Sequence, residues 1–155
     1  MNNTSCILEK PKQNRRSILI VEDEEDTASL IRLKFEEERW IVVHAKDGRV
    51  ASSLIETLSP TSIVLLDMVL PYCNGYELLM EFRNHQNWKH VPIIMISANS
   101  YAPDIRKAMQ LGASGYIVKA DGVDEMRNQI HKVLNAFEMI SKKSEDGSLK
   151  KESMS

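Results

Sequence analysis

Five short runs of apolar residues are spaced along the chain, with polar or helix-patterned segments between them. Each run is rich in isoleucine and valine and almost continuously apolar. This pattern is typical of strands that are covered on both faces. The runs predict five strands, which are Ser17–Val21, Trp40–His44, Ser62–Leu66, Pro92–Ile96 and Gly115–Val118.

After each of these runs, apolar residues recur at intervals of three and four, which is the spacing of one face of an α-helix. The clearest stripe follows the fifth run and consists of Met126, Ile130, Val133, Leu134 and Phe137. Parallel strands need crossover connections, and helices in those connections cover both faces of the sheet. Five strands alternating with five helices therefore predict an α/β fold with a doubly wound, five-stranded parallel sheet.

Composition and length indicate one globular domain. The chain has 155 residues, of which 43% are apolar and 27% are charged. Both ends of the chain are polar. We therefore expect a flexible N-terminal tail over residues 1–16, a folded domain over residues 17–140 and a flexible C-terminal tail over residues 141–155.

The net charge, the length of the apolar runs and the cysteine count restrict the cellular compartment and the partners that we expect. The net charge of -2 gives no reason to expect a nucleic-acid partner, and the apolar runs are too short to span a bilayer. No secretory signal is readable at the N-terminus. The two cysteines, Cys6 and Cys73, are too few for a disulfide framework and have no metal-ligand spacing. A cytoplasmic, reducing environment is the simplest expectation.

Chemically reactive side chains follow directly after four of the predicted strands. Glu22 and Asp23 follow the first strand, Asp67 the third, Ser97 the fourth and Lys119 the fifth. Ligands of doubly wound sheets bind outside the carboxyl ends of the strands, so these side chains should share one edge. Two carboxylates about 4 Å apart repel by about 4 kcal/mol at an effective dielectric near 20, and a cation relieves this repulsion. Oxygen ligands in small number favour Mg²⁺.

Each of these residues also has a purely structural interpretation. Asp67 alone could cap the following turn, Ser97 could bond its own backbone, and Lys119 could be an exposed lysine. Taken together, however, they supply the nucleophile, the metal site and the donors that phosphoryl transfer requires. The neighbouring acids of residues 24–26 are better explained as a solvated first turn of a helix.

Four sequence motifs, in this order, resemble the receiver domain of bacterial two-component response regulators. The motifs are ILIVEDEED, IVLLDMVLPYCNG, VPIIMISA and GASGYIVK, and the resemblance extends over about residues 16–138. It implies a flavodoxin-like sheet with the strand order 2-1-3-4-5. Within that family, the chain is most similar to the single-domain type of the chemotaxis regulators.

The resemblance implies that Asp67 is a phosphoacceptor. A histidine kinase or a histidine phosphotransfer protein would donate the phosphoryl group. The implied ion is Mg²⁺, with Mn²⁺ as an alternative, held by Asp23, Asp67 and the Val69 carbonyl, and by Glu22 through water. Such a domain is a signalling protein rather than an enzyme, because it catalyses only its own phosphorylation and dephosphorylation.

The resemblance also implies a switch. Lys119, the Ser97 hydroxyl and the Ala98 amide would bind the phosphoryl oxygens. Movement of Ser97 towards the phosphoryl group would then let Tyr116 turn inward. The face formed by the fourth helix, fifth strand and fifth helix would change its affinity for protein partners, or for a second copy of the chain.

Three residues depart from the family pattern: Ala120, Ser97 and Glu22, the last of which makes the acid pair Glu-Asp, a frequent variant; Val69 is a further point of interest. Ala120 stands where the family usually has a proline after a lysine, and that bond is commonly cis, so Lys119–Ala120 is either trans or a strained cis bond. Ser97 replaces the commoner threonine but keeps the hydroxyl. Val69 cannot hydrogen-bond a water that attacks the acyl phosphate, which predicts a long-lived phosphoryl group on Asp67.

Other functions fit the residues less well. A haloacid-dehalogenase-like phosphatase needs a second acid at the position of Val69, and Glu22 and Asp23 would repel the phosphate of a flavodoxin-type cofactor. The output of a receiver stays open at this point. We expect a stand-alone receiver because the C-terminal residues are polar. The alternatives are a receiver within a longer DNA-binding regulator or hybrid kinase, and an interaction module that works without phosphorylation.

Overall fold

Strands and helices alternate along the chain, as the sequence predicts. The structure is a computed structural model that describes residues 15–153 and, for residues 145–153, the backbone alone. The strands are β1 Ser17–Val21, β2 Ile41–Ala45, β3 Ile63–Asp67, β4 Ile93–Ser97 and β5 Gly115–Val118. The helices are α1 Glu25–Glu37, α2 Gly48–Thr57, α3 Gly75–Asn84, α4 Ala102–Gln110 and α5 Val123–Ser153. A short 3-10 turn, Lys119–Asp121, joins β5 to α5.

The five strands form one parallel sheet in the order β2-β1-β3-β4-β5. Within it, Ile20 of β1 pairs with His44 on one side and with Leu65 on the other. Because β2 is added on one side of β1 and β3 on the other, the strand order reverses at β1. The carboxyl ends of β1 and β3 therefore border the crevice where such sheets bind ligands. The predicted doubly wound, flavodoxin-like fold is confirmed.

Alternate residues of the strands face two separate hydrophobic cores. One core packs β-strand residues such as Leu19 and Val64 against α2, α3 and α4. The other packs residues such as Ile18 and Leu65 against α1 and α5. All four of these side chains are completely buried. Burial on both faces explains why the strands are continuous apolar runs instead of alternating patterns.

Three strands lie one residue further along the chain than predicted, namely β2, β3 and β4. Pro92 has no N–H to contribute to a ladder, and the N–H of Trp40 donates to the Phe35 carbonyl at the end of α1 (3.0 Å). As a result, Asp67 and Ser97 are the last residues of β3 and β4 and not the first residues after them. Their backbones are therefore held in the sheet.

Helix α5 continues through Ser153, so the predicted boundary at residue 140 is not a helix end. Residues 141–153 contain no proline and several lysine and glutamate residues, which favours helix. The flexibility of residues 141–155 stays a prediction. Most of the predicted N-terminal tail, residues 1–14, lies outside the described residues. Within the described part of the chain, no helix combines the length and the apolar character needed to cross a membrane.

Candidate functional site

Asp67 lies at the carboxyl end of the central strand β3 and pairs with Ile96 of β4. Only 3% of its surface is exposed. Oδ1 accepts a hydrogen bond from the Val69 N–H (3.1 Å), and Oδ2 accepts one from the Lys119 Nζ (2.9 Å). A strand-bound backbone and a donor on each oxygen fix the direction in which this carboxylate points.

Glu22 follows β1 directly and is fully buried. Its Oε1 accepts hydrogen bonds from the Glu24 N–H (3.1 Å) and from the Lys119 Nζ (3.2 Å). Its Oε2 lies 3.1 Å from the same ammonium but lacks hydrogen-bond geometry to any donor among the described residues. Burial, and then the neighbouring Asp67 carboxylate, raise the pKa of Glu22 to about 7. The Lys119 ammonium and the Glu24 N–H oppose this rise without cancelling it.

Lys119 follows β5 and begins the 3-10 turn. Burial alone would lower the pKa of its ammonium, but the hydrogen bonds and charges of Asp67 and Glu22 outweigh burial and raise that pKa. The Lys119–Ala120 peptide bond is trans. The lysine reaches both acids in this conformation, so the alanine at position 120 does not prevent the contact.

Asp23 is exposed at the entrance of the site. One carboxylate oxygen each of Glu22, Asp23 and Asp67 lies within 4.8 Å of the others, and we call these three residues the acidic cluster. Its candidate metal-ligand atoms are all oxygens, which hard divalent cations prefer. Among the described residues, the Lys119 ammonium pairs with two of the three carboxylates, Glu22 and Asp67, and Glu22 Oε2 has no hydrogen-bond donor. The acidic cluster therefore fits a divalent cation such as Mg²⁺.

Ser97 and Tyr116 both contact the loop between β4 and α4. Ser97 is buried, and its Oγ accepts a hydrogen bond from the Asn99 N–H (3.3 Å), which leaves the hydroxyl proton free to donate elsewhere. Tyr116 of β5 is half-buried, and its hydroxyl donates to the Asn99 carbonyl (3.2 Å). Ala98 lies between these contacts and is exposed. The backbone of Asn99 thus joins the two predicted switch residues.

Comparison with known proteins identifies the family. The family model of the response regulator receiver domain matches residues 18–131. The chain belongs to this family. It is 38% identical over 118 residues to the response regulator ArlR of Staphylococcus saprophyticus, an alignment that includes 76% of this chain and 51% of that protein. The chain thus spans about half the length of the curated relatives it matches.

Solved receiver domains have the same fold. The receiver domain of the Francisella response regulator 1452 superposes with a TM-score of 0.71 at 25% identity, covering 79% of this chain and 98% of that one. The receiver domain of the sensor histidine kinase PA1611 from Pseudomonas aeruginosa PAO1 has a TM-score of 0.69 at 26% identity, with 78% and 98% covered. The chain therefore contains a response-regulator receiver domain of two-component signalling.

The structure places seven of the predicted site residues of this receiver domain at the carboxyl ends of the strands or in the loops that follow them, and the eighth, Tyr116, lies within β5 and reaches the β4–α4 loop through its hydroxyl. Lys119 contacts both Glu22 and Asp67 directly. Val69 contacts Asp67 through its N–H, while its side chain is 77% exposed.

The sequence does not predict one contact of the receiver site. The imidazole Nε2 of His44 lies 2.7 Å from the carbonyl oxygen of Glu22. His44 is the second-last residue of β2, and β2 borders β1 in the sheet. The strand order, combined with the position of His44 near a strand end, is the signal that could have found it.

Proposed function

We propose that this receiver domain accepts a phosphoryl group on Asp67 from a histidine kinase or a histidine phosphotransfer protein. The observation that carries the proposal is the contact between Lys119 Nζ and Asp67 Oδ2 (2.9 Å) beside the acidic cluster. A buried carboxylate at a strand end, with an ammonium and two further acids in contact range, is the arrangement that aspartyl phosphorylation needs. Glu22 shares this burial and the contact with Lys119, but it follows β1, whereas the Asp67 backbone is held in the central strand β3.

The transfer converts a phosphohistidine into an aspartyl phosphate. An Asp67 carboxylate oxygen attacks the phosphorus in line with the departing imidazole. The P–N bond breaks, its electron pair returns to the imidazole nitrogen, and that nitrogen takes up a proton. Lys119, freed from its ion pair with Asp67, donates to a phosphoryl oxygen, and the Ser97 hydroxyl and the Ala98 amide would donate to others.

The acidic cluster and the Val69 carbonyl would hold Mg²⁺, with Mn²⁺ as an alternative, and Glu22 would act through water. When bound, the ion offsets negative charge on the phosphoryl oxygens and on the carboxylates. The receiver domain of the Pseudomonas aeruginosa kinase PA1611 has a magnesium ion coordinated in its active-site cleft, which supports this assignment.

The output of the switch is the face formed by α4, β5 and α5. Phosphorylation draws Ser97 towards Asp67, which favours release of the Tyr116 hydroxyl from the Asn99 carbonyl and an inward Tyr116. The altered face binds a downstream protein or a second copy of the chain. We place this activity in the cytoplasm, and the domain catalyses only its own phosphorylation and dephosphorylation. Since the relatives are about twice as long, such a receiver could also work within a longer regulator or hybrid kinase.

The test is intact-mass measurement after incubation with acetyl phosphate, with and without Mg²⁺. We expect the wild type to gain one phosphoryl group only with Mg²⁺, and Asp67→Asn to gain none. Asp121→Asn, which changes an exposed aspartate in the turn after β5, is the matched control and should be labelled like the wild type. Labelling of Asp67→Asn, or labelling without a divalent cation, would contradict the proposal. An interaction module that works without phosphorylation would gain no mass under any condition.

A further inference from the structure

His44 contributes a hydrogen bond to the backbone of the acidic cluster. Its Nε2 lies 2.7 Å from the carbonyl oxygen of Glu22. A carbonyl oxygen has no proton to give, so the imidazole must carry the proton on Nε2 and act as the donor. At 2.7 Å this is a short contact for an N–H donor and a carbonyl acceptor.

A second bond from β2 holds the same residue. The N–H of Glu22 donates to the Ala45 carbonyl (3.1 Å). Strand β1 ends at Val21. These two bonds therefore hold one further residue, Glu22 of the acid pair, against β2. The bond to the Ala45 carbonyl needs only the backbone of β2, whereas the bond to the Glu22 carbonyl needs the His44 side chain.

The carbonyl that His44 binds belongs to the peptide group joining Glu22 to Asp23. Asp23 is exposed, and among the described residues its carboxylate has no hydrogen-bond or ion-pair partner. No hydrogen bond or ion pair in the described part of the chain therefore orients the Asp23 carboxylate. Its position depends on the peptide plane that precedes it, and the His44 bond fixes the orientation of that plane.

We propose that His44 is a positioning residue of the divalent-cation site, which orients the Glu22–Asp23 peptide and so places the Asp23 carboxylate. This inference rests on the proposed function of the acidic cluster. Groups that orient metal ligands without touching the metal typically contribute 10–100-fold to metal affinity. The effect of His44 should lie at the lower end of that range, because it acts through one backbone bond.

The test compares His44→Leu and His44→Gln with the wild type by calorimetric titration with Mg²⁺. Leucine cannot donate, and we expect the Kd for Mg²⁺ to rise about tenfold. A glutamine amide can replace an imidazole Nε2 donor, and this variant should retain most of the affinity. The rate of phosphorylation by acetyl phosphate should fall in His44→Leu at low Mg²⁺ and recover at saturating Mg²⁺.

The matched control is His85→Leu. His85 follows α3 at the opposite edge of the sheet, is partly buried, and accepts a local hydrogen bond from the Asn87 N–H (3.1 Å). This variant loses an imidazole and a hydrogen bond without touching the site, so its Kd for Mg²⁺ should equal that of the wild type. Urea unfolding of all three variants checks that they are folded.

The outcomes separate the two ideas. Absence of Mg²⁺ binding by the folded wild type would overturn the proposed function. A wild type that binds Mg²⁺, together with an unchanged Kd in His44→Leu, would overturn the role of His44 alone. An equal loss of affinity in the leucine and glutamine variants would also contradict it, because the hydrogen bond would then not be the cause.

Discussion

The two edges of the sheet each contain a partly buried cation, and the two cations have different kinds of partner. At the carboxyl ends of the strands, the Lys119 ammonium lies 2.9 Å from Asp67 and 3.1 Å from Glu22. At the amino ends, Arg83 of α3 has no acidic partner among the described residues and donates to neutral groups. At the carboxyl ends, the cation and its partners are all charged groups. At the amino ends, a cation binds neutral groups.

The Arg83 side chain stabilises the fold by hydrogen-bonding to two loops. Its guanidinium donates to the carbonyls of Gly112 (2.8 Å), Val91 (2.7 Å) and Lys89 (3.3 Å), and it lies within 3.5 Å of the Ser114 hydroxyl. These groups belong to the loops before β4 and β5. One side chain thus satisfies the backbone of both loops and ties them to the end of α3.

The electrostatics of the two sites differ accordingly. Burial lowers the pKa of Arg83, and no carboxylate of the described residues opposes that effect. Burial acts on Lys119 in the same direction, but Asp67 and Glu22 outweigh it and raise the pKa. At the amino ends, the Arg83 guanidinium already has hydrogen-bond acceptors and needs no bound ligand. The carboxyl edge holds more negative than positive charge, which stabilises the fold poorly but suits the binding of a cation and a phosphoryl group.

Removing the ammonium should have the largest effect. We expect Lys119→Met to slow phosphorylation by acetyl phosphate at saturating Mg²⁺ by about 100- to 1000-fold, the usual loss when one donor to a developing charge is removed. Intact mass followed over time measures the rate. Lys46→Met, which changes an exposed lysine just after β2, should leave the rate unchanged. Equal rates in Lys119→Met and the wild type would mean that Lys119 only neutralises the resting site.

The pH dependence of stability should report the charge imbalance directly. The folded state holds Glu22 at a pKa of about 7, above the ordinary value of 4.5. Its contribution to stability is therefore fully present below pH 4.5 and is lost as the pH rises through about 7. Without divalent cations, the free energy of unfolding should fall over this range by up to about 3 kcal/mol.

Urea unfolding at a series of pH values measures this loss. In Glu22→Gln the decline over this range should be smaller, whereas Glu25→Gln, which changes an exposed acid, should behave like the wild type. Mg²⁺ added at high pH should restore stability to the wild type, because it binds the folded state. Parallel pH profiles for Glu22→Gln and the wild type would refute this account.

Removing the Arg83 guanidinium at the amino ends should lower stability without changing the phosphorylation rate. We expect Arg83→Met to lower the free energy of unfolding by about 2 kcal/mol, because it leaves the Gly112 and Val91 carbonyls without their charged donor. The phosphorylation rate should not change. Arg106→Met is the control, since Arg106 is exposed and has no side-chain hydrogen bond or ion pair within the described residues. A slower phosphorylation rate in folded Arg83→Met would show that the two edges are not independent.

The charged edge could be predicted from the sequence because parallel strands bring their carboxyl ends together. Asp67 and Ser97 each end an unbroken apolar run, so their positions depend only on recognising the strand. Lys119 and Glu22 follow from the same rule. The amino edge gives no comparable signal, since Arg83 binds backbone carbonyls, and a backbone acceptor is present at every residue.

Other features depend on local packing that the pattern does not contain. The trans bond of Lys119–Ala120 is one of two conformers that the sequence left open. The contact of His44 with Glu22 requires the relative register of two strands, which apolar runs alone do not give. The extent of α5 beyond residue 140 reflects helix-forming polar residues, and these look the same in a tail as in a solvated helix.

The smallest effect should come from Val69, which borders the charged edge without adding to its charge. It bonds Asp67 only through its N–H, and its exposed side chain cannot orient a water against a phosphoryl group. Val69→Asn keeps the N–H and adds one hydrogen bond to that water, worth about 1 kcal/mol, so hydrolysis should speed up about fivefold. The hydrolysis rate is measured from the decay of the phosphorylated mass after the phosphoryl donor is removed. Val69→Ala removes bulk without adding a hydrogen bond and should change the rate little. If alanine accelerates hydrolysis as much as asparagine, Val69 acts as a shield, and if neither does, it does not set the lifetime.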